Sequence, residues 1–432
     1  MDNSTLKQMD LEVLWHPCTQ MKDHETLPLI PIKKAHGVYL EDFDGNRYID
    51  AISSWWVNIF GHTNSYINGK IKEQLDTLEH VILAGFTHES VVRLSQRLVK
   101  LTPKGLEKCF YSDNGSSAVE IALKMSFHAH LNSGKKKPLF VSLTNSYHGE
   151  TIGALSVGDV ELYKDTYEPL LLQTIQTPTP KDMSDESAKE AIKEFEKLCE
   201  KRADEISAII VEPLIQGAGY MHMYSPLFLK LLREVCDRYD IHLIADEVMV
   251  GFGRTGKLFA CEHSQISPDF LVLSKGLTGG YLPLSVVLTT NEIYMKFYCD
   301  YNEYKAFLHS HSYTGNALAC SAANATLDIF ENENIVEKNL KKAEYMASKL
   351  QKFKELKNVK EVRQTGMVCA IELQGYKPQE RVGLKIYQHG LNNGVLLRPL
   401  GHIVYFMPPY IITEDEIDKM IDVAYEAIAN IS

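Results

Sequence analysis

The sequence predicts an α/β fold, with a mainly parallel sheet covered by helices and a smaller α+β domain built from both chain ends. Three observations carry this reading. Five short apolar runs, at 108–112, 139–143, 206–211, 241–245 and 270–274, each lead into a polar or glycine-bearing corner and then a helical pattern. Near-continuous apolar runs alternating with helices indicate parallel strands buried on both faces. Near the start, Gly37-Val38-Tyr39-Leu40 and Arg47-Tyr48-Ile49-Asp50 flank Asp44-Gly45-Asn46, an Asp-Gly hairpin signal. The last hundred residues change character: 334–356 is a charged amphipathic stretch, followed by short strands at 368–371 and 404–406. The expected division is an N-terminal segment 1–62, a large domain 63–331 and a C-terminal part 332–432, with the two ends meeting in the small domain.

Composition narrows the function. The chain has 432 residues, 45% of them hydrophobic and 23% charged, which is ordinary for a globular protein. That length accommodates about two or three structural units with sizeable cores. A net charge of −11 argues against a general nucleic-acid binder, whose footprint is usually basic. The eight cysteines (Cys18, Cys109, Cys199, Cys236, Cys261, Cys299, Cys320, Cys369) include no C-x-x-C pair. Scattered thiols favour a reduced, cytoplasmic protein over a disulfide or zinc framework. Met-Asp-Asn-Ser-Thr opens the chain with no basic region before an apolar run, so no signal peptide is expected. The longest uncharged stretch, 306–327, is rich in His, Ser, Asn and Thr, and reads as a polar loop entering a helix, not as a membrane span.

In parallel sheets ligands gather beyond the carboxyl ends of the strands. Here five strand ends deliver chemically capable residues. After 108–112 comes Asn114-Gly115-Ser116-Ser117, where Ser117 and Glu120 have capping-box spacing. A helix start there would offer the N–H groups of Gly115 and Ser116 to an anion. In isolation the same motif is a plain capped helix. After 139–143 comes Tyr147-His148-Gly149, and after 206–211 comes Glu212-Pro213. Asp246-Glu247 follows 241–245, and Lys275-Gly276 follows 270–274. A lysine at a strand's end is ordinarily a surface cation. Held in a pocket instead, its amine can form a Schiff base with an aldehyde cofactor. Asp246 would supply the partner, since a carboxylate keeps a pyridine nitrogen protonated and the ring an electron sink. Tyr147 would give such a ring an aromatic face.

Other patterns are weaker. Gly251-Phe252-Gly253-Arg254-Thr255-Gly256 fits a dinucleotide fingerprint. Only about 13 residues, with Pro268 among them, then precede the next strand, too few for a full crossover helix. The acidic Asp246-Glu247 pair is also a poor neighbour for a pyrophosphate. His309-Ser310-His311, and His148 with Glu150, lack metal-ligand spacing and read as loop residues. Adjacent Trp55 and Trp56, if extended, would face opposite ways, one inward and one toward a pocket. Arg398, between Leu397 and Pro399, is suited to bidentate carboxylate binding or to a surface ion pair.

Together the segments resemble class III (fold type I) pyridoxal-phosphate aminotransferases over nearly the whole chain. The shared core is Ile244-Ala245-Asp246-Glu247-Val248, the Gly251–Gly256 segment, Ser267-Pro268-Asp269 and Ser274-Lys275-Gly276. More specific marks are Trp15-His16-Pro17, Ser53-Ser54-Trp55-Trp56, the stretch from Gly256-Lys257-Leu258 to Cys261-Glu262-His263, Arg398-Pro399-Leu400-Gly401 and Met407-Pro408-Pro409-Tyr410. In these the chain resembles the branch that aminates 8-amino-7-oxononanoate in biotin biosynthesis, a resemblance that implies S-adenosylmethionine as amino donor.

The resemblance implies a homodimer with a shared active site and pyridoxal 5′-phosphate as cofactor. Lys275 would carry the cofactor and shuttle a proton, and Asp246 would pair with its ring nitrogen. Tyr147 would cover the ring. Gly115 and Ser116 would bind the phosphate, joined by Ser312 from a second subunit. Trp55 would wall the substrate's chain, Arg398 would hold its carboxylate, Tyr405 would line the same pocket, and Ser310 and His311 match the loop that closes over it. Two positions depart from the pattern. Cys18 stands where a gating tyrosine follows Trp-His-Pro, and His309-Ser310-His311-Ser312-Tyr313 replaces the usual Gly-Pro-Thr-Phe type. Some relatives with a His-Ser-Tyr loop use lysine as donor, so lysine stands as the alternative. Rival readings are another class III ω-amino acid or polyamine aminotransferase, an aminomutase or racemase on the same fold, and a non-catalytic relative.

Overall fold

A computed structural model describes residues 2–27 and 29–431. The chain divides into two compact units, Tyr66–Leu340 and Met1–Ser65 with Lys341–Ser432.

A seven-stranded sheet organises the first unit. In chain order its strands are β1 (Leu106–Ser112), β2 (Leu139–Leu143), β3 (Ile175–Thr177), β4 (Ile206–Val211), β5 (His242–Asp246), β6 (Phe270–Leu273) and β7 (Ser285–Thr290). Across the sheet they run β1-β7-β6-β5-β4-β2-β3. The pairs from β6 to β3 are parallel, whereas β7 lies antiparallel to both β6 and β1. Strands β2, β4 and β6 are buried along their whole length, as the unbroken apolar runs require. Two strands escaped the sequence reading. Ile175–Thr177 is three residues long, too short for a periodic signal, and Ser285–Thr290 follows β6 without a helix long enough to mark a crossover.

The helix α1 (Gly115–Asn132) packs its Ala118, Val119, Ile121, Ala122 and Met125 against Ile210, Ile244, Phe270 and Val272 of the sheet. It is apolar on more than one side because residues on several of its faces are buried. The polar 306–316 segment leads into α2 (Ala317–Glu333), as expected from its composition.

In the second unit the hairpin pairs Tyr39–Asp42 with Arg47–Asp50 around Gly45, whose φ is +90°. Buried Asp42 accepts hydrogen bonds from the backbone N–H groups of Asp44 and Asn46 and from the Tyr48 hydroxyl. Val395–Leu396 pairs in parallel with Arg47–Asp50, so segments from both chain ends share one sheet. A second sheet joins Val359–Thr365, Val368–Leu373 and Ile403–Phe406. Among the described residues, no helix is long and apolar enough to cross a membrane.

Candidate active site

The carboxyl ends of β1, β2, β4, β5 and β6 carry the residues singled out above. Asp246 is the last residue of β5, paired with Val272 of β6. It is buried; Oδ1 accepts from the Val248 N–H at 3.0 Å and Oδ2 accepts from His148 Nδ1 at 2.8 Å. A carboxylate fixed from two sides has one orientation to offer. His148 Nε2 is buried with no hydrogen-bond partner among the described residues. In the sequence His148 reads as a loop residue, because its contact with Asp246 spans 98 positions.

Lys275 begins a short 3-10 turn directly after β6 and has φ +47°, a left-handed conformation rare for a side chain of its size. Burial lowers its amine to about 8, because the charged form loses its water; Arg254 lowers it further, while Asp246 and Glu212 favour the cation. Such an amine is neutral in substantial fraction near physiological pH, as a nucleophile or proton carrier must be.

Glu212, just beyond β4, is fully enclosed, and burial raises its carboxyl to about 7. It accepts from the backbone N–H groups of Tyr147 at 2.9 Å and Gly217 at 2.8 Å, and so anchors the loop that carries Tyr147. The Tyr147 hydroxyl donates to Glu150 at 2.9 Å, and its ring lies 5.4 Å from that of Tyr163.

The expected Ser117–Glu120 capping box is not what starts α1. Asn114 is the cap, its side chain accepting from the Ser117 N–H at 2.9 Å. Glu120 instead accepts from Thr151 Oγ1 at 2.6 Å and the Gly153 N–H at 2.7 Å, holding the neighbouring loop. Gly115 and Ser116 still open the helix, where N–H groups lack intrahelical partners. The chain is drawn tight around them. A Cβ on Gly149 would stand 2.0 Å from Ser116 Oγ, and one on Gly115 would stand 2.9 Å from Val248.

The glycine segment 251–256 forms turns, not the helix a dinucleotide site needs. Glu247 is buried and accepts from the Ala260 and Cys261 N–H groups, which makes it a structural anchor. Among the described residues no group of three His, Cys, Asp or Glu could hold a metal ion. His309 meets Lys124, and His311 meets Asp113 at 3.2 Å. Ser310 and Ser312 are exposed, and the Ser312 carbonyl accepts from His80.

The other unit holds Trp55, Arg398, Tyr405 and Cys18. Trp55 is 40% exposed and Trp56 4%, an outward and inward pair. The backbone is not extended there. Ser53, Ser54, Trp55 and Trp56 all have positive φ (51°, 47°, 71° and 73°), forming one left-handed turn closed by Trp56 N–H to Ile52 C=O and Val57 N–H to Ser53 C=O. Each such residue costs on the order of 1–2 kcal/mol relative to the right-handed form. The Arg398 guanidinium lies 5.1 Å from the Trp55 ring centroid and donates to the Cys18 carbonyl at 3.3 Å. Buried Tyr405 accepts at its hydroxyl from Trp56 Nε1 at 3.1 Å.

A model of the class-III aminotransferase family matches residues 20–428. The chain belongs to the class-III aminotransferases. It is 55% identical over 422 residues to the adenosylmethionine-8-amino-7-oxononanoate aminotransferase of Helicobacter pylori, with 96% of each chain covered. The enzyme of the same name from Geobacter sulfurreducens is 43% identical, with 98% of this chain and 96% of that one covered. The crystal structure of the Methanocaldococcus jannaschii enzyme of that name is 40% identical, with TM-score 0.95 and 99% of both chains covered. An omega transaminase of Pseudomonas jessenii in complex with PMP is 27% identical, with TM-score 0.91, covering 98% of this chain and 97% of that one.

This aminotransferase uses pyridoxal 5′-phosphate. The residues present fit that cofactor: an enclosed amine of lowered basicity, a doubly anchored carboxylate, and a helix N-terminus so closely approached that side chains at Gly115 and Gly149 would fill it.

Proposed function

We propose that this aminotransferase converts 8-amino-7-oxononanoate to 7,8-diaminononanoate in biotin biosynthesis, with S-adenosylmethionine as amino donor. The observation that carries the reading is the Trp55–Arg398 pair: an exposed aromatic face beside a guanidinium that, among the described residues, pairs with no carboxylate. Such a pair suits an aliphatic chain ending in a carboxylate. The full-length similarity to enzymes named for this reaction supports it.

In this reading Lys275 would carry the cofactor and move the proton at the reacting carbon, a task suited to an amine near 8. When bound, the cofactor supplies a protonated aromatic ring that draws electrons from that carbon. Asp246, held by His148 and Val248, would pair with the ring nitrogen, and Tyr147 would cover the ring. Gly115 and Ser116 would bind the phosphate, with Ser312 contributed by a second copy of the chain in a homodimer. Ser310 and His311 belong to the loop that closes on the substrate. Trp55 walls the aliphatic chain, Arg398 binds the carboxylate, and Tyr405 and Cys18 shape the rest of the pocket. The donor leaves before the ketone enters, so the two substrates react in turn. Scattered thiols and the small-molecule substrates suit a cytoplasmic enzyme.

Lysine as donor is the alternative that the His309–Tyr313 loop favours, and Cys18 in place of the usual tyrosine is a second departure near the donor's place. The deciding assay gives the purified holoenzyme 8-amino-7-oxononanoate with S-adenosylmethionine or with lysine, in separate reactions, and follows the diamine by mass spectrometry. Product with S-adenosylmethionine is expected, and product with lysine alone would move the donor assignment to lysine. No product with either, together with turnover of a simple terminal amine, would assign the chain to another branch of the class.

A further inference from the structure

We propose that buried Asp50, braced by His62, is a positioning residue. It holds the left-handed turn Ser53–Trp56 and thereby presents Trp55, together with Arg398, as a reader of ligands that carry an aliphatic carboxylate. The inference rests on the proposed function for the identity of that ligand, and adds the device that sets its recognition.

Four consecutive left-handed residues, none of them glycine, persist only where their surroundings over-determine them. The turn is pinned at three places. Asp50 Oδ1 accepts from the Ser54 N–H at 2.9 Å and Oδ2 accepts from Ser54 Oγ at 2.6 Å. Ser53 Oγ donates to the Met407 carbonyl at 2.7 Å. Trp56 Nε1 donates to the Tyr405 hydroxyl at 3.1 Å. Of these, only the Asp50 bonds act at Ser54, the residue directly before Trp55.

Asp50 is itself fixed. It is fully buried, and His62 Nε2 donates to its Oδ2 at 2.9 Å. His62 Nδ1 accepts from Asn58 Nδ2 at 3.0 Å, which keeps the imidazole proton on Nε2, toward the carboxylate. The His62 backbone is bonded on both sides to Gly37. Gly61 lets the chain pass there, since a Cβ would stand 2.2 Å from the Ile411 side chain. A buried carboxylate with three donors, one on a braced imidazole, is a rigid support. The turn it holds faces Trp56 inward and leaves Trp55 exposed with the Arg398 guanidinium over its ring. This cation–π contact, with the bond to the Cys18 carbonyl, ties the position of the guanidinium to the Trp55 ring, and with it the approach its N–H groups offer a carboxylate.

The test compares Asp50→Asn and Ser54→Ala with the wild-type holoenzyme. Binding of nonanoate and of methyl nonanoate is followed by tryptophan fluorescence, with a thermal melt to verify folding. The wild type is expected to prefer the acid by about tenfold or more. In each folded variant that preference should fall to about two- to threefold while the ester's affinity stays close to wild type. A merely structural role would weaken acid and ester alike. Should Asp50→Asn fail to fold, Ser54→Ala, which deletes one hydroxyl, decides. An unchanged preference in the folded variants, equal loss for both ligands, or no acid preference in the wild type would overturn the proposal. Wild-type turnover of 8-amino-7-oxononanoate is measured alongside. Its absence would sink the functional reading, whereas the acid-to-ester ratio judges the clamp separately.

Discussion

The strand ends of one unit and the left-handed turn of the other solve different problems. Lys275, Asp246, Glu212 and Tyr147 stand at or just after the ends of buried parallel strands, so the sheet itself sets their spacing. Trp55 and Arg398 have no such frame. The turn that carries Trp55 is held locally by Asp50, itself braced by His62, and across the sequence by Tyr405 and Met407, while Arg398 meets the Trp55 ring and the Cys18 carbonyl. In the proposed function the first arrangement serves chemistry common to every substrate of the class and the second serves selection of one substrate, on a strained backbone.

That contrast predicts two kinds of variant. Lys275→Ala should abolish transamination with every donor and acceptor, a loss on the order of 10³-fold or more in single-turnover assays. Activity retained on any substrate pair would break the division. Asp246→Asn should slow both half-reactions by roughly 10²- to 10³-fold, since it removes the charge proposed to pair with the cofactor ring. His148→Gln should cost about tenfold, the worth of one hydrogen bond to the charged carboxylate it orients. An effect of His148→Gln confined to one half-reaction would show that it reads substrate and does not tune the ring. The smallest effect belongs to the turn's partner: Arg398→Lys should raise KM for the carboxylate-bearing acceptor about three- to fivefold, by replacing a planar fork with a point charge. If kcat fell instead with KM unchanged, Arg398 would belong with the chemical residues.

The same contrast explains what could be read from sequence. Strands β2 and β4 were legible because their apolar runs are local, and residues placed just after them were legible for the same reason. The start of α1 was placed close to its true position, but its cap was assigned to Ser117 because the motif there matches a capping box. The structure gives the cap to Asn114 and turns Glu120 toward Thr151 and Gly153. The outward and inward split of Trp55 and Trp56 was expected from an extended chain, yet it arises from four positive φ angles that no local propensity favours. Asp50 and His62 carried no signal, since their meaning lies in contacts made only after folding. His148 was visible as a residue but not as the partner of Asp246.

Covalent capture of the cofactor across a range of pH tests the central assignment most directly. Cofactor-free protein is mixed with pyridoxal 5′-phosphate, reduced with borohydride, and the labelled peptide located by mass spectrometry. Burial disfavours the cation, so the reactive neutral amine forms at lower pH than in an ordinary lysine. Label on Lys275 alone is expected, with a rate that climbs with pH and levels off near the amine's value of about 8. Label on another lysine, or a rate still climbing toward the ordinary lysine value of about 10.4, would contradict the assignment.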